Sequence, residues 1–311
     1  MFRWPFAALA LACLCLMTYG LASAAPAVTV WVALAENGGA YAEAAEALRA
    51  ETEREQPRRV NWRIAHWSQF TMSNPEPQWI VAVGSAAQRG MQDLFVGDGA
   101  PPLLAILVPR QAFERIADPK RLRAGSLSAV YIDQPPGRQL ELIRLALPAA
   151  REVGILVGAD SRSQLPPLQK AAKERRLNLV TAEANQGNLF AALQSILADI
   201  DVLLAQPDPS VFNSQTAANI LTATYRRHLP LVSFSPSWVK AGALLALYST
   251  PAQIGARGGE LLRPALQGKP LPPPQWPREF TVSVNRDVAR SLGLALDEGA
   301  LAELVRDRDR P

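Results

Sequence analysis

The amino-acid sequence predicts an α/β protein made of two similar lobes, each a parallel sheet flanked by helices. From residue 28 to residue 284, short apolar runs suited to strands alternate with stretches of helical periodicity. Such alternation is typical of parallel sheets that are covered on both faces. At the middle of the chain, a strand at 128–131 stops at the corner Pro135-Pro136, since proline cannot donate to a sheet. A helix and a buried strand at 153–157 follow, so we interpret this stretch as the crossing between the lobes.

The first 24 residues have the pattern of a secretory signal peptide. Arg3 precedes an apolar run at 6–17, and the residues Ala-Ser-Ala at 22–24 suit a cleavage site. The apolar run is about twelve residues long, whereas a membrane span needs roughly twenty. Lipidation of Cys13 is an alternative, which the continuation of the apolar run beyond that cysteine disfavours. We therefore predict a periplasmic protein whose signal peptide is cleaved near Ala24, with no stable membrane insertion afterwards.

Composition excludes several other classes of protein. The 311-residue chain has a net charge of +4 with acids and bases interspersed, so no basic stripe suggests a nucleic-acid partner. Both cysteines, Cys13 and Cys15, lie in the predicted signal peptide. The mature chain would then have no disulfide, no thiolate nucleophile and no cysteine metal site, and its stability would depend on its packed core.

The first lobe is predicted from four strands and the helices between them. Its first strand, VTVWVAL, is almost purely apolar and is followed by the turn ENGG. Tyr41 then repeats with Ala44, Ala45 and Leu48 at the spacing of one helical face, which predicts that Tyr41 is a core residue rather than a ligand contact. The strands are predicted at 28–34, 60–65, 79–83 and 103–108, and the later helices at 86–95 and 110–117.

The second lobe repeats this alternation with units of similar length, although no residue-level internal repeat is present. After GALLALYS at 242–249, a helix contains Gly255, Gly258 and Gly259, which we interpret as sites of close helix packing. The proline-rich segment 268–277 predicts an extended connector, and two short helices end the chain. The strands are predicted at 178–182, 202–205, 231–234 and 280–284, and the helices at 164–175, 189–197, 213–227 and 251–266.

The sequence offers little for catalysis. His66 and His228 are its two histidines, and they lack the spacing of a two-histidine metal motif. There is no GxSxG nucleophile elbow, no GxxxxGK[ST] phosphate loop and no complete GxGxxG motif. We therefore predict a non-enzymatic protein with no metal and no cofactor.

Polar residues just beyond the carboxyl ends of predicted strands are the binding candidates, because ligands of open α/β sheets bind in that crevice. Ser85 and Ala86 begin a helix after the strand 79–83, where a hydroxyl and free backbone N–H groups suit a carboxylate. An ordinary helix N-cap is the alternative. Asp133 and Gln134 follow the strand that ends at the crossing, and a carboxylate there suits a ligand ammonium group.

Asp208 occupies the same kind of position after the strand 202–205, and Ser233 and Ser235 flank the end of the next strand. For Asp133 and Asp208 the alternative is a turn or capping aspartate, since Asp-Pro is a common turn signal. Three aromatic residues near strand ends are candidates for the apolar wall of a site, with core packing as the alternative: Phe212, Phe234 and Tyr248.

Several segments resemble one family of proteins. They are DQPPGRQLELIRLALPAAREVGIL, the stretch from QPDPSVF to GALLALYS, and VNRDVARSLGL. These segments are similar to the ABC-transporter substrate-binding proteins of the tryptophan and tyrosine-binding type, which are periplasmic binding proteins of type I. The resemblance extends over nearly the whole mature chain, and GALLALYS and VNRDVARSLGL are its most specific parts.

The resemblance implies two Rossmann-like lobes joined by three crossovers, with a ligand bound between them. Lobe one would comprise 25–132 plus 241–275, and lobe two 133–240 plus 276–311. In the family's pattern, Ser85 would meet an amino-acid carboxylate and Asp208 would hold the ammonium group. The chain departs from that pattern at Asp208-Pro209, where the family has Asp-Asn, and at ENGGAY, which lacks an obvious serine pair.

These observations lead to one functional hypothesis and one alternative. The hypothesis is a monomeric, exported solute-binding protein that captures a small amino-acid-like or aromatic molecule and presents it to an ABC permease. The alternative is a periplasmic ligand sensor that serves a signalling kinase or an outer-membrane receptor with the same fold. An enzyme would require convergent titratable groups with perturbed pKa values in the cleft.

Overall fold

The computed structural model describes residues 27–54, 59–72, 76–97 and 99–309. The predicted signal peptide, with Cys13 and Cys15, lies outside these residues. The described chain forms two α/β lobes, as the alternating pattern predicts. Within the described ranges, no helix combines the length and the apolar character needed to cross a membrane.

Lobe one is built on a five-stranded, wholly parallel sheet with the order β2-β1-β3-β4-β5. Its central strands are buried along nearly their whole length, which explains why they are continuous apolar runs rather than alternating ones. In chain order the strands are β1 (Val28–Leu34), β2 (Val60–His66), β3 (Trp79–Val83), β4 (Leu103–Val108) and β5 (Leu127–Tyr131).

Lobe two contains a six-stranded sheet with the order β11-β10-β9-β8-β6-β7. Its pairings are parallel except that β11 runs antiparallel to β10, an edge that the prediction of a purely parallel sheet did not include. The strands are β6 (Glu152–Val157), β7 (Asn178–Glu183), β8 (Val202–Leu204), β9 (Leu231–Ser233), β10 (Leu245–Tyr248) and β11 (Thr281–Val284).

Helices cover both faces of each sheet. In lobe one, α1 and α10 pack on one face, and α2 and α3 on the other. In lobe two, α5, α6 and α12 pack on one face, and α7, α8 and α9 on the other. In chain order the helices are α1 (Gly39–Glu53), α2 (Ser85–Leu94), α3 (Arg110–Ile116), α4 (Pro119–Arg123), α5 (Pro136–Ala146), α6 (Leu165–Glu174), α7 (Leu189–Ile196), α8 (Ala217–Arg226), α9 (Pro236–Ala241), α10 (Pro251–Ala265), α11 (Arg286–Ser291) and α12 (Glu298–Asp309).

The glycines of α10 allow it to lie directly against α1. A Cβ atom at Gly255 would collide with the carbonyl oxygen of Ala44, and one at Gly259 would collide with that of Leu48. Any larger residue would therefore push the two helices apart. This close approach confirms the packing role predicted for these glycines.

The structure corrects the predicted point at which the chain returns from lobe two to lobe one. The boundary at residue 241 is too early, because β10 pairs in parallel with β9 in the sheet of lobe two. The apolar run of GALLALYS is buried in that sheet, so the chain can leave it only after Tyr248. Lobe one then resumes at Pro251, where α10 begins, because this helix packs on the sheet of lobe one.

Candidate functional site

The cleft between the lobes lies beyond the carboxyl ends of the parallel strands. It contains two cavities, a lobe-two cavity of about 310 Å³ and a lobe-one cavity of about 770 Å³. Both are lined by residues of each lobe, and they share four lining residues: Pro109, Ile132, Phe234 and Ser235. The cleft therefore has the position and size expected of a small-molecule site in an open α/β sheet.

An aromatic cluster forms the apolar wall of the lobe-two cavity. Phe212 and Phe234 line the cavity, and Trp238 packs behind them with ring centroids 5.7 Å from Phe212 and 6.4 Å from Phe234. Ile132, on the crossing, lines the same cavity and is 37% exposed. The arrangement suits an apolar or aromatic ligand body.

Asp208 is buried and serves the loops of lobe two. Its carboxylate accepts hydrogen bonds from the backbone N–H groups of Asp160, Ser161 and Ser210 and from the hydroxyls of Ser161 and Ser210, at 2.6–3.0 Å. Burial alone would raise the pKa of Asp208, but these hydrogen bonds outweigh it and lower the pKa. Asp208 thus has the turn role that the sequence left open, and its contact with a ligand ammonium group stays a prediction.

Asp133 lies on the first crossing and lines the lobe-two cavity. Its carboxylate accepts a hydrogen bond of 2.5 Å from the backbone N–H of Arg110, at the start of α3. Burial raises the pKa of Asp133, and the backbone hydrogen bonds and the charge of Arg110 only partly oppose that rise. The surroundings of Asp133 therefore disfavour its charged form, whereas those of Asp208 favour it.

Gln134 lines the lobe-two cavity and also takes part in the hinge. Its side-chain amide donates at 2.8 Å to the hydroxyl of Ser249, which lies on the second crossing, between β10 and α10. That hydroxyl donates at 2.6 Å to the carbonyl of Glu279, which lies on the third crossing, between α10 and β11. Arg138 donates to the Gln134 side-chain oxygen and to the carbonyl of Pro277. One hydrogen-bonded network therefore joins all three crossings.

The start of α2 lies on the lobe-one side of the cleft. Ser85 and Ala86 line the lobe-one cavity, and the preceding residue, Gly84, adopts a positive φ of 95° and offers no side-chain cap. The Gly84 backbone passes so close to Ala35 and Tyr41 that a Cβ atom would collide with both. First-turn N–H groups at such a helix start are suited to a carboxylate.

Tyr41 and Tyr248 also line the lobe-one cavity. Tyr41 packs against the lobe-one core, as predicted, and it also lines the cleft on the lobe-one side. Burial, and secondarily the charge of Glu36, raise the pKa of the Tyr41 hydroxyl. The hydroxyl of Tyr248 lies 3.0 Å from that of Ser283 on β11.

Among the lining residues that sequence reasoning missed are Ile132, Glu36 and Glu43. Ile132 follows β5 directly, and Glu36 follows β1 within two residues. Both would have been selected by a strand-end rule, which takes every residue just beyond the carboxyl end of a parallel strand as a binding candidate. Glu43 lies about one turn into α1, on its cleft side, and no local pattern distinguishes it from a solvent-exposed helix residue. In the described part of the chain, no three histidine, cysteine or acidic residues gather as metal ligands.

Two α/β lobes joined by three crossings, with a ligand-sized cleft at their strand ends, define a periplasmic binding protein of type I. The chain belongs to the ABC transporter substrate binding protein family, whose sequence model matches residues 130–306. This match confirms the family resemblance seen in the sequence. Proteins of this family bind small-molecule solutes for ABC transporters and are typically exported. No curated protein sequence matches the chain.

Solved structures with low sequence identity share the fold. A conserved domain protein from Vibrio cholerae has 18% identity and a TM-score of 0.60, covering 89% of this chain and 98% of that one. A domain from Streptococcus pneumonia in complex with L-Trp has 13% identity and a TM-score of 0.59, covering 88% and 97%. A ligand-free, open substrate binding protein with adhesive properties from Clostridium difficile has 16% identity and a TM-score of 0.66, covering 87% and 96%.

Proposed function

We propose that the protein captures a small, largely apolar solute, amino-acid-like or aromatic, in the cleft and presents it to an ABC permease. The protein would do so as a monomer in the periplasm, after removal of residues 1–24. The observation that carries the proposal is the lobe-two cavity, whose wall is formed by Phe212, Phe234 and Leu247 and faces Ile132 across the cleft. A cavity of about 310 Å³ is at the lower end of the range for small-molecule sites.

Polar groups at the cavity support an apolar ligand because most of them are already satisfied within the protein. Asp208 is saturated by its loop donors, and the hydroxyl of Ser233 donates to the backbone of its own lobe. Gln139 donates to the carbonyl of Gln134 and accepts from Gln206. A sugar, which needs many hydrogen bonds, would have to displace these partners at a cost for each buried group.

Lobe closure would follow from contacts that a ligand makes with both lobes at once. Pro109 of lobe one and Phe234 of lobe two line both cavities, so a ligand there touches each lobe. A ligand stabilises the closed form only by the difference between its affinities for the closed and open forms. A permease that recognises the closed surface would then receive loaded protein in preference to empty protein.

Calorimetry and thermal-shift measurements with a panel of amino acids, aromatic acids, aromatic amines and sugars test this proposal. We expect an apolar or aromatic member of the panel to bind and to raise the Tm. Phe234→Ala should weaken that binding by at least about tenfold, because it removes the aromatic wall.

The matched control is Phe190→Ala, which removes a phenylalanine that is 72% exposed on α7 and lies outside both cavities. It should leave the affinity unchanged. Equal losses for the two variants would contradict the placement of the site. A panel in which only sugars bind would contradict the ligand class.

A further inference from the structure

Resting on the function proposed above, we propose that the cleft selects a cation, an amine carried on an apolar body, and that Asp133 rather than Asp208 is its counter-charge. This assignment differs from the one that the family pattern implies, in which Asp208 holds the ammonium group. It makes Asp133 the residue that determines the charge specificity of the site.

The charged side chains that line the two cavities are all acidic. They are Glu36 and Glu43 in the lobe-one cavity and Asp133 and Asp208 in the lobe-two cavity. Among the described lining residues of both cavities there is no arginine, lysine or histidine. These four carboxylates would repel an anionic solute. Its charge could be stabilised only by backbone N–H groups, such as those at the start of α2.

Asp208 is not free to act as the counter-charge. All five donors that reach its carboxylate come from residues 160, 161 and 210, and its side chain is fully buried. A ligand amine would have to replace donors that hold the two loops together. Each donor left buried and unpaired would cost about 1–3 kcal/mol.

Asp133, in contrast, has acceptor capacity to spare. A carboxylate can accept about four hydrogen bonds, and the inter-residue donor to Asp133 is the N–H of Arg110. The guanidinium of Arg110 is used elsewhere, since it pairs with Glu114 at 2.6 Å and lies 5.4 Å from the centre of the Trp276 ring. Burial makes the charge of Asp133 unfavourable, which is visible in its raised pKa, and a bound cation would relieve that cost.

The position of Asp133 fits an amphipathic amine. Asp133 lines the same cavity as Phe212 and Phe234 and follows Ile132 in the chain. An amine at the carboxylate would therefore place its apolar body against the aromatic wall. The acidic side chains of Glu36 and Glu43, which form no ion pair with any described residue, would add attraction at the cleft mouth.

Three probes of one shape and different charge test the inference by calorimetry: 2-phenylethylamine, 2-phenylethanol and 3-phenylpropionate. We expect the amine to bind most tightly, the alcohol at least about tenfold more weakly, and the carboxylate most weakly of all. A ranking in which the carboxylate equals or exceeds the amine would overturn the inference.

Asp133→Asn keeps an oxygen that can accept the Arg110 N–H while it removes the charge. This variant should lower the affinity for 2-phenylethylamine by at least about tenfold and leave that for 2-phenylethanol unchanged. Asp287→Asn, which neutralises an exposed aspartate on α11, is the matched control and should change neither affinity. Unchanged amine affinity in Asp133→Asn would overturn the assignment.

Failure of this inference can be distinguished from failure of the proposed function. If neutral or anionic solutes bind to the cleft and the amine does not, solute capture stands and the charge specificity is wrong. If no probe and no member of the wider panel binds or raises the Tm, solute capture itself is contradicted, and the inference falls with it.

Discussion

Asp133 and Asp208 both follow the carboxyl end of a parallel strand and both border the same cavity, yet they differ in their surroundings. Asp208 lies between two loops of lobe two that supply five donors to it. Asp133 lies on a crossing, where the inter-residue donor is one backbone N–H. A strand-end position therefore indicates the cleft, whereas the number of local donors decides whether a carboxylate is available to a ligand.

The pKa values of the two carboxylates move in opposite directions, because hydrogen bonds outweigh burial at Asp208 but not at Asp133. Burial raises both, and at Asp208 the hydrogen bonds from Ser210 and Ser161 reverse the rise. The charged form is thus stabilised at Asp208 and penalised at Asp133.

The largest effect is expected for Asp208→Ala. Five hydrogen bonds would be lost and buried donors on both loops left unpaired, so the free energy of unfolding should fall by about 3 kcal/mol and the Tm by roughly 6–12 °C. Thermal unfolding monitored by circular dichroism measures this change, with Asp287→Ala as the exposed control. A Tm within a degree of the parent protein would show that Asp208 is not structural.

The charge of Asp133 should make the folding stability depend on pH, with a sign opposite to that of the Asp208 contribution. Because its pKa is raised above the ordinary 3.8, the folded state holds this proton more tightly than the unfolded state. Stability therefore falls as the pH rises from about 4 through the raised pKa, and Asp133→Asn should remove that loss. The Tm of the variant minus the Tm of the parent should therefore increase from pH 4 to pH 7.

The Asp208 contribution works in the other direction, being present above the ordinary pKa and lost as the pH falls through the lowered one. It is common to the parent and Asp133→Asn, so it cancels in the difference between their Tm values. A difference that does not change with pH would contradict the raised pKa of Asp133.

A smaller effect is expected from Ser249, the hinge partner of Gln134. Ser249→Ala would leave the Gln134 amide and the Glu279 carbonyl without their shared partner, at a cost of about 1–2 kcal/mol. With looser crossings, the ligand-free protein should show a broader distribution of lobe separations, which small-angle X-ray scattering measures. Ligand binding would then have to restrict more lobe motion in the variant than in the parent, so the affinity should fall by a few fold. Unchanged scattering and affinity would exclude a role for this network in closure.

The smallest effect is expected for Ser85→Ala. The hydroxyl is placed at the start of α2, where it would add one hydrogen bond to a ligand carboxylate. Calorimetry should show about a threefold to tenfold weaker affinity for phenylalanine and no change for 2-phenylethylamine. Equal losses for both probes would indicate a general distortion of α2.

Much of the fold could be predicted from the sequence because strong local patterns coincide with the final structure. The strands predicted at 28–34, 79–83 and 103–108 have the observed bounds, since each is a continuous apolar run buried on both faces. The short helix α9 and the lobe membership of β10 were missed. The lobe membership of β10 depends on its pairing with β9, a tertiary contact that no local period reveals.

The candidate site was predictable in position but not in role. Ser85, Asp133, Asp208, Phe212, Phe234 and Tyr248 all line the cleft cavities, because the strand-end rule follows from topology alone. Whether Asp208 is saturated depends on a loop that is 47 residues away in sequence. The burial of Gln134 likewise depends on Ser249, 115 residues further along the chain. Such distant partners have no signature in a single sequence.

The placement of α10 against α1 has a consequence for how the chain folds. Lobe one begins at the N terminus but lacks the helix that covers α1 until residue 265 is available, and lobe two lacks β11 and α12 until nearly the end of the chain. Neither lobe can complete its core while the chain is being extended, and both depend on contacts distant in sequence. The two lobes should therefore acquire their final structure together, in a single late event, rather than one after the other.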